Sequence, residues 1–188
     1  LIDLVKDYIK KNSEKNISIC DIGAGSGNIS ITLKKLFEDF ENVDITAIEI
    51  SDKSIEVIKK NEVNILKKKI NIINADALTF EPEKKFDIIV SNPPYIALKD
   101  KNNLQKDLDF EPETALYSGY DGLYFYKNFF VVIDKYLKIG GAFFFEIGFN
   151  QAKELINICE SFNIKNARAK KDLSGKDRFL ICYNFMKE

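Results

Sequence analysis

Apolar residues run along this chain in two rhythms, and the switches between them outline its elements. Leu1 to Lys11 carries apolar positions at helical spacing. Ile17 to Ile22 is a short apolar run, the pattern of a buried strand. A glycine-rich turn follows, then the helically periodic stretch Ile29 to Phe40 and a second strand, Val43 to Ile50. A further helix leads to a third strand within Ile70 to Ala77, and a fourth, Phe86 to Ser91, runs into two prolines. Leu98 to Leu116 is polar, charged and weakly periodic, which suits an excursion facing a substrate. Helical spacing returns from Gly122 to Leu137, where Leu123, Phe125, Tyr126, Phe129, Phe130, Ile133 and Leu137 form a stripe expected to be core. A strand over Ala142 to Ile147, a helix over Gln151 to Ser161, and strands near Ile164 to Lys170 and Arg178 to Phe185 complete the order. Strands alternating with helices predict an α/β fold, a mostly parallel sheet with right-handed crossovers whose terminal pair makes one edge antiparallel. No repeat, low-complexity tract or linker divides the chain, so residues 1–188 are expected to form a single domain.

Two of the strand ends carry the chemistry that stands out. Asn92-Pro93-Pro94-Tyr95 follows the fourth strand directly. Each proline fixes its own φ and biases its predecessor toward an extended backbone, so the Asn92 carboxamide and the neighbouring carbonyls are held in nearly one arrangement. Pro-Pro can also simply end a strand, and the tetrapeptide alone leaves that open. After the first strand, Gly23, Gly25 and Gly27 form G-x-G-x-G, where glycines let backbone approach a ligand and amides at the helix start face it. The dinucleotide fingerprint is G-x-G-x-x-G, and residue 28 is Asn. A P-loop is excluded because no Gly-Lys-Ser/Thr follows; a plain strand-helix turn remains possible. Glu49, near the carboxyl end of the second strand, suits the two hydroxyls of a ribose, or is a solvated acid. Asp76 follows the third strand, where it could meet an adenine amine with Ala77 offering backbone at the ring, or cap a helix.

Composition narrows the classes. With 45% hydrophobic residues but only 9 Gly and 4 Pro, the chain has material for a full sheet core and too few breakers for a fibrous or disordered one. No apolar run is long enough to span a bilayer and no signal-peptide pattern is present, so no membrane partner is expected. The three cysteines, Cys20, Cys159 and Cys182, are odd in number, lack C-x-x-C spacing and lie in apolar patterns. They read as reduced core residues of a cytoplasmic protein, with no disulfide and no zinc. The chain has no histidine, which removes Ser-His and Cys-His nucleophile pairs and ordinary catalytic zinc sites. A net charge of −1 gives no general grip on nucleic acid. Lys67-Lys68-Lys69 and Lys165 to Lys171 read as solvated faces.

The series Asp21 to Gly27, Glu49, Asp76 and Asn92 to Tyr95 resembles the Rossmann-like S-adenosylmethionine-dependent methyltransferases whose N-P-P-Y motif modifies a planar nitrogen. Phe110-Glu111-Pro112 with Ala115-Leu116, then Gly119, Asp121-Gly122-Leu123 and Phe125-Tyr126, are similar to the signature of the release factor glutamine methyltransferases. So are Gly140-Gly141, Phe145-Glu146-Ile147-Gly148 with Gln151, and Asp172 to Arg178. The resemblance covers essentially the whole chain. It implies a class I fold with a seven-stranded, mostly parallel sheet, helices on both faces and an antiparallel edge. It further implies S-adenosylmethionine as cofactor, without a metal, held by Asp21, Gly23, Ala24, Gly25, Ser26, Gly27, Glu49, Asp76, Ala77 and Asn92. Asn92, Pro93 and Tyr95 are the implied catalytic residues, and Asn92, Pro93, Pro94 and Tyr95 the substrate-binding ones. The implied reaction methylates the amide of a glutamine in the Gly-Gly-Gln loop of bacterial class I peptide chain release factors, by a monomeric cytoplasmic enzyme that needs no nucleic acid. Three alternatives stand beside it: a glutamine methyltransferase of a large-subunit ribosomal protein, a nucleic-acid base N-methyltransferase, and a cofactor-binding module without turnover. Family members ordinarily begin with a small helical domain, whereas this chain starts at Leu1, so it reads as a catalytic domain cut from a longer protein. No role follows for Glu111 or Asp121 beyond loop structure.

Overall fold

The computed structural model describes residues 1–12, 15–96 and 119–187. Helix α1 (Ile2–Lys11) precedes β1 (Ile17–Ile22), α2 (Asn28–Leu36), β2 (Val43–Glu49), α3 (Asp52–Ile65), β3 (Asn71–Asn74) and β4 (Phe86–Ser91). Then come α4 (Tyr124–Tyr136), β5 (Leu137–Glu146), α5 (Ala152–Ser161), β6 (Ala167–Lys171) and β7 (Asp177–Cys182). The expected excursion from Leu98 to Leu116, with Glu111, lies outside the described residues apart from its flanks.

The strands form one 7-stranded sheet in the order β3-β2-β1-β4-β5-β7-β6. From β3 to β5 every pairing is parallel, and β7 runs antiparallel to both β5 and β6. The anticipated terminal hairpin is therefore β6-β7, and its reversed strand lies inside the edge, with β6 outermost.

Side chains leave the sheet with the period of two that strands impose. Ile17 and Ile19 of β1, Ile88 and Val90 of β4, and Ala142 and Phe144 of β5 pack with α1, α2 and Ile58 of α3 on one face. Cys20, Ile22, Ile89, Phe143 and Phe145 pack with α4 and α5 on the other. The α4 stripe is core as expected: Tyr126, Phe129, Phe130 and Ile133 have no exposed surface, and the Phe129 ring meets that of Phe145 edge-on at 5.9 Å. Cys20, Cys159 and Cys182 are free and buried. Among the described residues no helix is long and apolar enough to cross a membrane.

Several boundaries differ from the sequence reading. Helix α2 stops at Leu36, four residues before Phe40, because its last turn closes through Phe37 N–H on Leu33 O and Phe40 N–H on Phe37 O. Strand β5 begins at Leu137 instead of Ala142. Leu137 pairs with Phe86, and the register then shifts before Ala142 meets Ile88, with Gly140 at φ +80° inside the irregularity. Gly140-Gly141 thus lies within a continuing strand, at its irregularity. At the other edge, β6 starts at Ala167, after Asn163 and Asn166 have taken positive φ.

Candidate functional site

The order of strands turns at β1, where the chain first moves outward to β2 and β3 and then returns to add β4 on the opposite side. In doubly wound sheets ligands bind beyond the carboxyl ends of the strands at such a switch point. Here Ile22 of β1 is in register with Ser91 of β4, and the buried Ser91 hydroxyl donates to Ile22 O at 2.6 Å. The glycine loop that leaves β1 and the Asn92-Pro93-Pro94-Tyr95 loop that leaves β4 therefore start side by side.

The glycine loop is tied down from beneath. Gly23 and Ala24 N–H both donate to Ile48 O, at 2.9 and 3.2 Å, Gly25 N–H donates to Glu49 Oε2 at 2.7 Å, and Asn61 Nδ2 donates to Ser26 O at 3.0 Å. The amides of Gly23, Ala24 and Gly25 are thus used inside the protein; they precede the helix-start amides that the sequence reading expected to face a ligand. What the loop presents outward is bare glycine: Gly23 and Gly25 have φ of +65° and +57°, and a Cβ at either would meet nothing within 4 Å among the described residues. That surface lets a flat or hydrocarbon-rich ligand lie against backbone, without the row of amide donors that grips pyrophosphate. Gly27 is glycine for a different reason. Its φ is +82°, and a Cβ would stand 2.9 Å from Ile31 Cδ1 and 3.2 Å from Ile58 Cγ2, so its bareness lets α2 and α3 close together.

Asp21 lies under this loop without exposed surface. Its Oδ2 accepts the Ser30 N–H in the first turn of α2 at 3.0 Å, satisfying a donor that a helix start leaves unpaired. Its Oδ1 has no hydrogen-bond partner among the described residues. Burial raises the Asp21 carboxyl to about 7, against the lowering effect of the Ser30 bonds, and the nearby Glu49 charge adds to the rise. The buried Glu49 carboxylate is fixed at both oxygens, by Gly25 N–H and by Ser51 N–H at 2.9 Å. Each oxygen keeps capacity for one further donor, so the group can accept a pair of hydroxyls without moving.

The third strand end lies beside the second. Glu49 pairs with Asn74, and Ala75 N–H donates to Glu49 O at 3.1 Å, which brings Asp76 and Ala77 next to Glu49. Asp76 is half-buried; its Oδ1 accepts Leu78 N–H at 2.9 Å and closes a turn, where sequence left a helix cap as the plain alternative. Ala77 is buried, and its carbonyl accepts the Tyr136 hydroxyl at 2.9 Å. Beyond β4, Asn92 is exposed, Pro93 is buried, and Pro94 and Tyr95 are half-buried. The Tyr95 hydroxyl faces Glu146 Oε1 at 3.4 Å; burial, then the Glu146 charge, raises its pKa. Asp121 accepts Leu123 N–H at 3.0 Å and pairs with Lys127 at 2.6 Å, a local turn at the start of α4.

The residues named from sequence thus gather at the carboxyl ends of β1, β2, β3 and β4. Sequence reasoning missed Ser30, Asn61 and Ser91, whose contacts cross between elements and leave no periodic signal.

The family model described as a methyltransferase domain matches residues 13–180. The chain is similar to the release factor glutamine methyltransferase of Flavobacterium psychrophilum, 38% identical over 188 residues, covering 97% of this chain and 63% of that protein. It is similar also to the protein of the same name from Clostridium acetobutylicum, 37% identical over 185 residues, covering 96% of this chain and 63% of that protein. The chain spans a little under two thirds of the length of these curated relatives. Among solved structures, the ribosomal protein L11 methylase of Lactobacillus delbrueckii subsp. bulgaricus superposes with a TM-score of 0.62 at 18% identity, over 94% of this chain and 74% of that one. At that identity the likeness concerns the fold, which is the class I methyltransferase fold. With the family match spanning most of its length, the chain belongs to the methyltransferase domain family.

Proposed function

We propose that this domain transfers a methyl group from S-adenosylmethionine to the side-chain amide nitrogen of a protein glutamine, with the Gly-Gly-Gln loop of bacterial class I peptide chain release factors as its target. The observation that carries the reading is the register of Ile22 with Ser91, which starts a ligand-cradling glycine loop and a rigid amide-bearing loop at one switch point. The names of the relatives supply the release factor and the glutamine.

The residues present fit the cofactor. Gly23 and Gly25 leave open space against the backbone, Glu49 offers a fixed carboxylate to the ribose hydroxyls, and Asp76 with Ala77 stands one strand further for the adenine. Ala24, Ser26 and Gly27 shape the loop, and Asp21 holds it to α2 while supplying buried negative potential beneath a cationic ligand. When bound, S-adenosylmethionine supplies a methyl already activated on a sulfonium.

The chain's remaining task is to present a poor nucleophile. An amide nitrogen shares its lone pair with its carbonyl, so it must be held in line and its developing positive charge stabilised. The exposed Asn92 carboxamide oxygen and the Pro93 carbonyl accept the two amide hydrogens. Pro94 keeps the loop stiff, and Tyr95, anchored toward Glu146, gives the flat substrate group a wall. The proton leaves to solvent after transfer, so no strong general base is needed. We further propose a monomeric enzyme acting in the cytoplasm, as one catalytic domain. The buried free cysteines support that setting.

The reading is tested by incubating the protein with labelled S-adenosylmethionine and, in parallel, purified release factor, large-subunit ribosomal proteins and DNA, then mapping each product by mass spectrometry. Label on a release factor glutamine is the expected result. Label confined to DNA would overturn the amide acceptor, and label confined to a ribosomal protein would move the target.

A further inference from the structure

We propose that Gln151 is a positioning residue for the acceptor loop, a buried carboxamide brace that sets where the backbone of Asn92 to Tyr95 lies. Gln151 is 8% exposed and stands immediately before α5. Its Nε2 donates to Tyr95 O at 2.9 Å and to Gly122 O at 3.2 Å, and its Oε1 accepts Gly148 N–H at 2.8 Å. One side chain thereby joins three backbone segments: the end of the acceptor loop, the approach to α4 and the exit from β5.

The orientation of the amide is dictated by its partners. An N–H can meet only an oxygen and two carbonyls can meet only the NH2, so a flipped carboxamide would place three groups against their like. The brace also has a rigid base. Gln151 N–H donates to Gly148 O and its carbonyl accepts Leu155 N–H, both at 3.0 Å, which fixes the residue to the first turn of α5. Gly148 leaves room for it, since a Cβ there would stand 2.9 Å from Gln151 Oε1 and 3.0 Å from Cδ.

Tyr95 is tied to the scaffold through its hydroxyl, which meets Glu146 and Arg178, and through its carbonyl, which meets Gln151. The side-chain tie to Glu146 is 3.4 Å, at the limit of a hydrogen bond, whereas the backbone tie to Gln151 is 2.9 Å. The carbonyl tie acts on the backbone itself, whereas the hydroxyl ties only the far end of the side chain. Between that carbonyl and the Pro93 carbonyl lies one further proline, whose φ is locked, so displacement at Tyr95 passes to the amide-accepting atoms with little slack. Filling the same volume would need no amide, and an apolar side chain would do; three directed bonds to three segments define a geometry.

The kinetic half of the test rests on the methyl-transfer reading, and the structural half does not. Gln151→Glu keeps the length and the bond from Gly148 but turns a carboxylate toward two carbonyl oxygens. Burial and those acceptors raise the pKa of the new acid, and once protonated it donates to one carbonyl again. Hydrogen–deuterium exchange of the free protein should rise at the amides of Asn92, Tyr95 and neighbouring residues, with the β1 loop unchanged. With release factor as substrate, kcat should fall on the order of 100-fold at pH 8 and recover relative to wild type toward pH 6, while S-adenosylmethionine affinity is retained. Gln151→Asn, one methylene shorter, serves if the charged variant does not fold; it should raise exchange at the same amides without the pH-dependent recovery. Unchanged exchange and turnover would overturn the brace, as would a rise in exchange spread across the whole sheet, which marks a core residue only. If wild type labels no glutamine yet exchange rises at Tyr95 alone, the acceptor reading fails and the brace stands.

Discussion

Replacing Asp21 by Asn should make the free protein more stable above neutral pH while weakening its grip on S-adenosylmethionine. Asp21 is without exposed surface, Oδ2 is bonded to Ser30, and Oδ1 has no partner among the described residues. Burial raises its pKa from 3.8 to about 7. Across that window the folded state keeps a proton that the unfolded chain has released, so stability falls as pH rises and the loss is complete above about pH 7. A gap of about three units at ~1.4 kcal/mol each sets a ceiling of about 4 kcal/mol. Asparagine keeps an oxygen for Ser30 N–H and cannot ionise, but it buries an NH2 without an assured acceptor, which costs about 1–2 kcal/mol. The net gain at pH 8 should be about 2 kcal/mol, or about 4–8 °C in Tm for a chain of this size. At pH 5 both side chains are neutral, and the gain should vanish or reverse. Urea and thermal unfolding followed by circular dichroism at the two pH values measures the difference. Titration calorimetry at pH 8 should show S-adenosylmethionine bound about tenfold more weakly by the variant, a loss of ~1.4 kcal/mol, since the buried negative charge no longer faces a cationic ligand. A variant whose stability difference from wild type does not change between pH 5 and pH 8 would refute the account of Asp21 as a buried, costly carboxylate.

Two further substitutions separate loop shape from loop chemistry. Gly27→Ala combines a φ of +82° with a Cβ only 2.9 Å from Ile31 Cδ1, and should cost about 2 kcal/mol in urea unfolding; a neutral result would mean that α2 and α3 can part freely. Glu49→Gln turns one amide NH2 toward either Gly25 N–H or Ser51 N–H. It should weaken S-adenosylmethionine binding by ~30-fold, about 2 kcal/mol, and calorimetry showing unchanged affinity would remove Glu49 from the ribose site.

The central strands β1, β2, β4 and β5 were legible because each carries a compact apolar run, and helix-strand alternation leaves few topologies, whereas the edge strand β6 is Ala-Arg-Ala-Lys-Lys and carries no such run. Glu49 and the Asn92 loop were legible for the same reason: a strand end is visible in sequence, and strand ends are where these sheets bind ligands. The inward use of the Gly23, Ala24 and Gly25 amides was hidden, because it depends on Ile48 and Glu49 lying one strand away. Glycine spacing alone cannot tell donors aimed at a ligand from donors tied to a neighbouring strand. Buried acids were equally hidden. Glu38 looks like a solvated helix-end residue but is buried and accepts Lys68 N–H at 3.2 Å, and Glu62 accepts Ile70 N–H at 2.8 Å from within α3. The start of β5 at Leu137 was hidden as well, because Gly140 and Gly141 interrupt the apolar run and only the pairing of Leu137 with Phe86 shows that the strand continues through them.

The measurement that bears most directly on the function is single-turnover methyl transfer to purified release factor by wild type and Asn92→Ala, with S-adenosylmethionine affinity determined for both. Wild type should place one methyl on a glutamine side chain. The variant keeps the glycine loop, Glu49 and Asp76 for the cofactor but loses the Asn92 contact, so at saturating S-adenosylmethionine it should react roughly 100-fold more slowly, the ~3 kcal/mol that one preorganised acceptor contributes to such a barrier. Equal rates for the two proteins, or a methyl found on any group other than an amide nitrogen, would contradict the assignment of Asn92 as the residue that holds the acceptor.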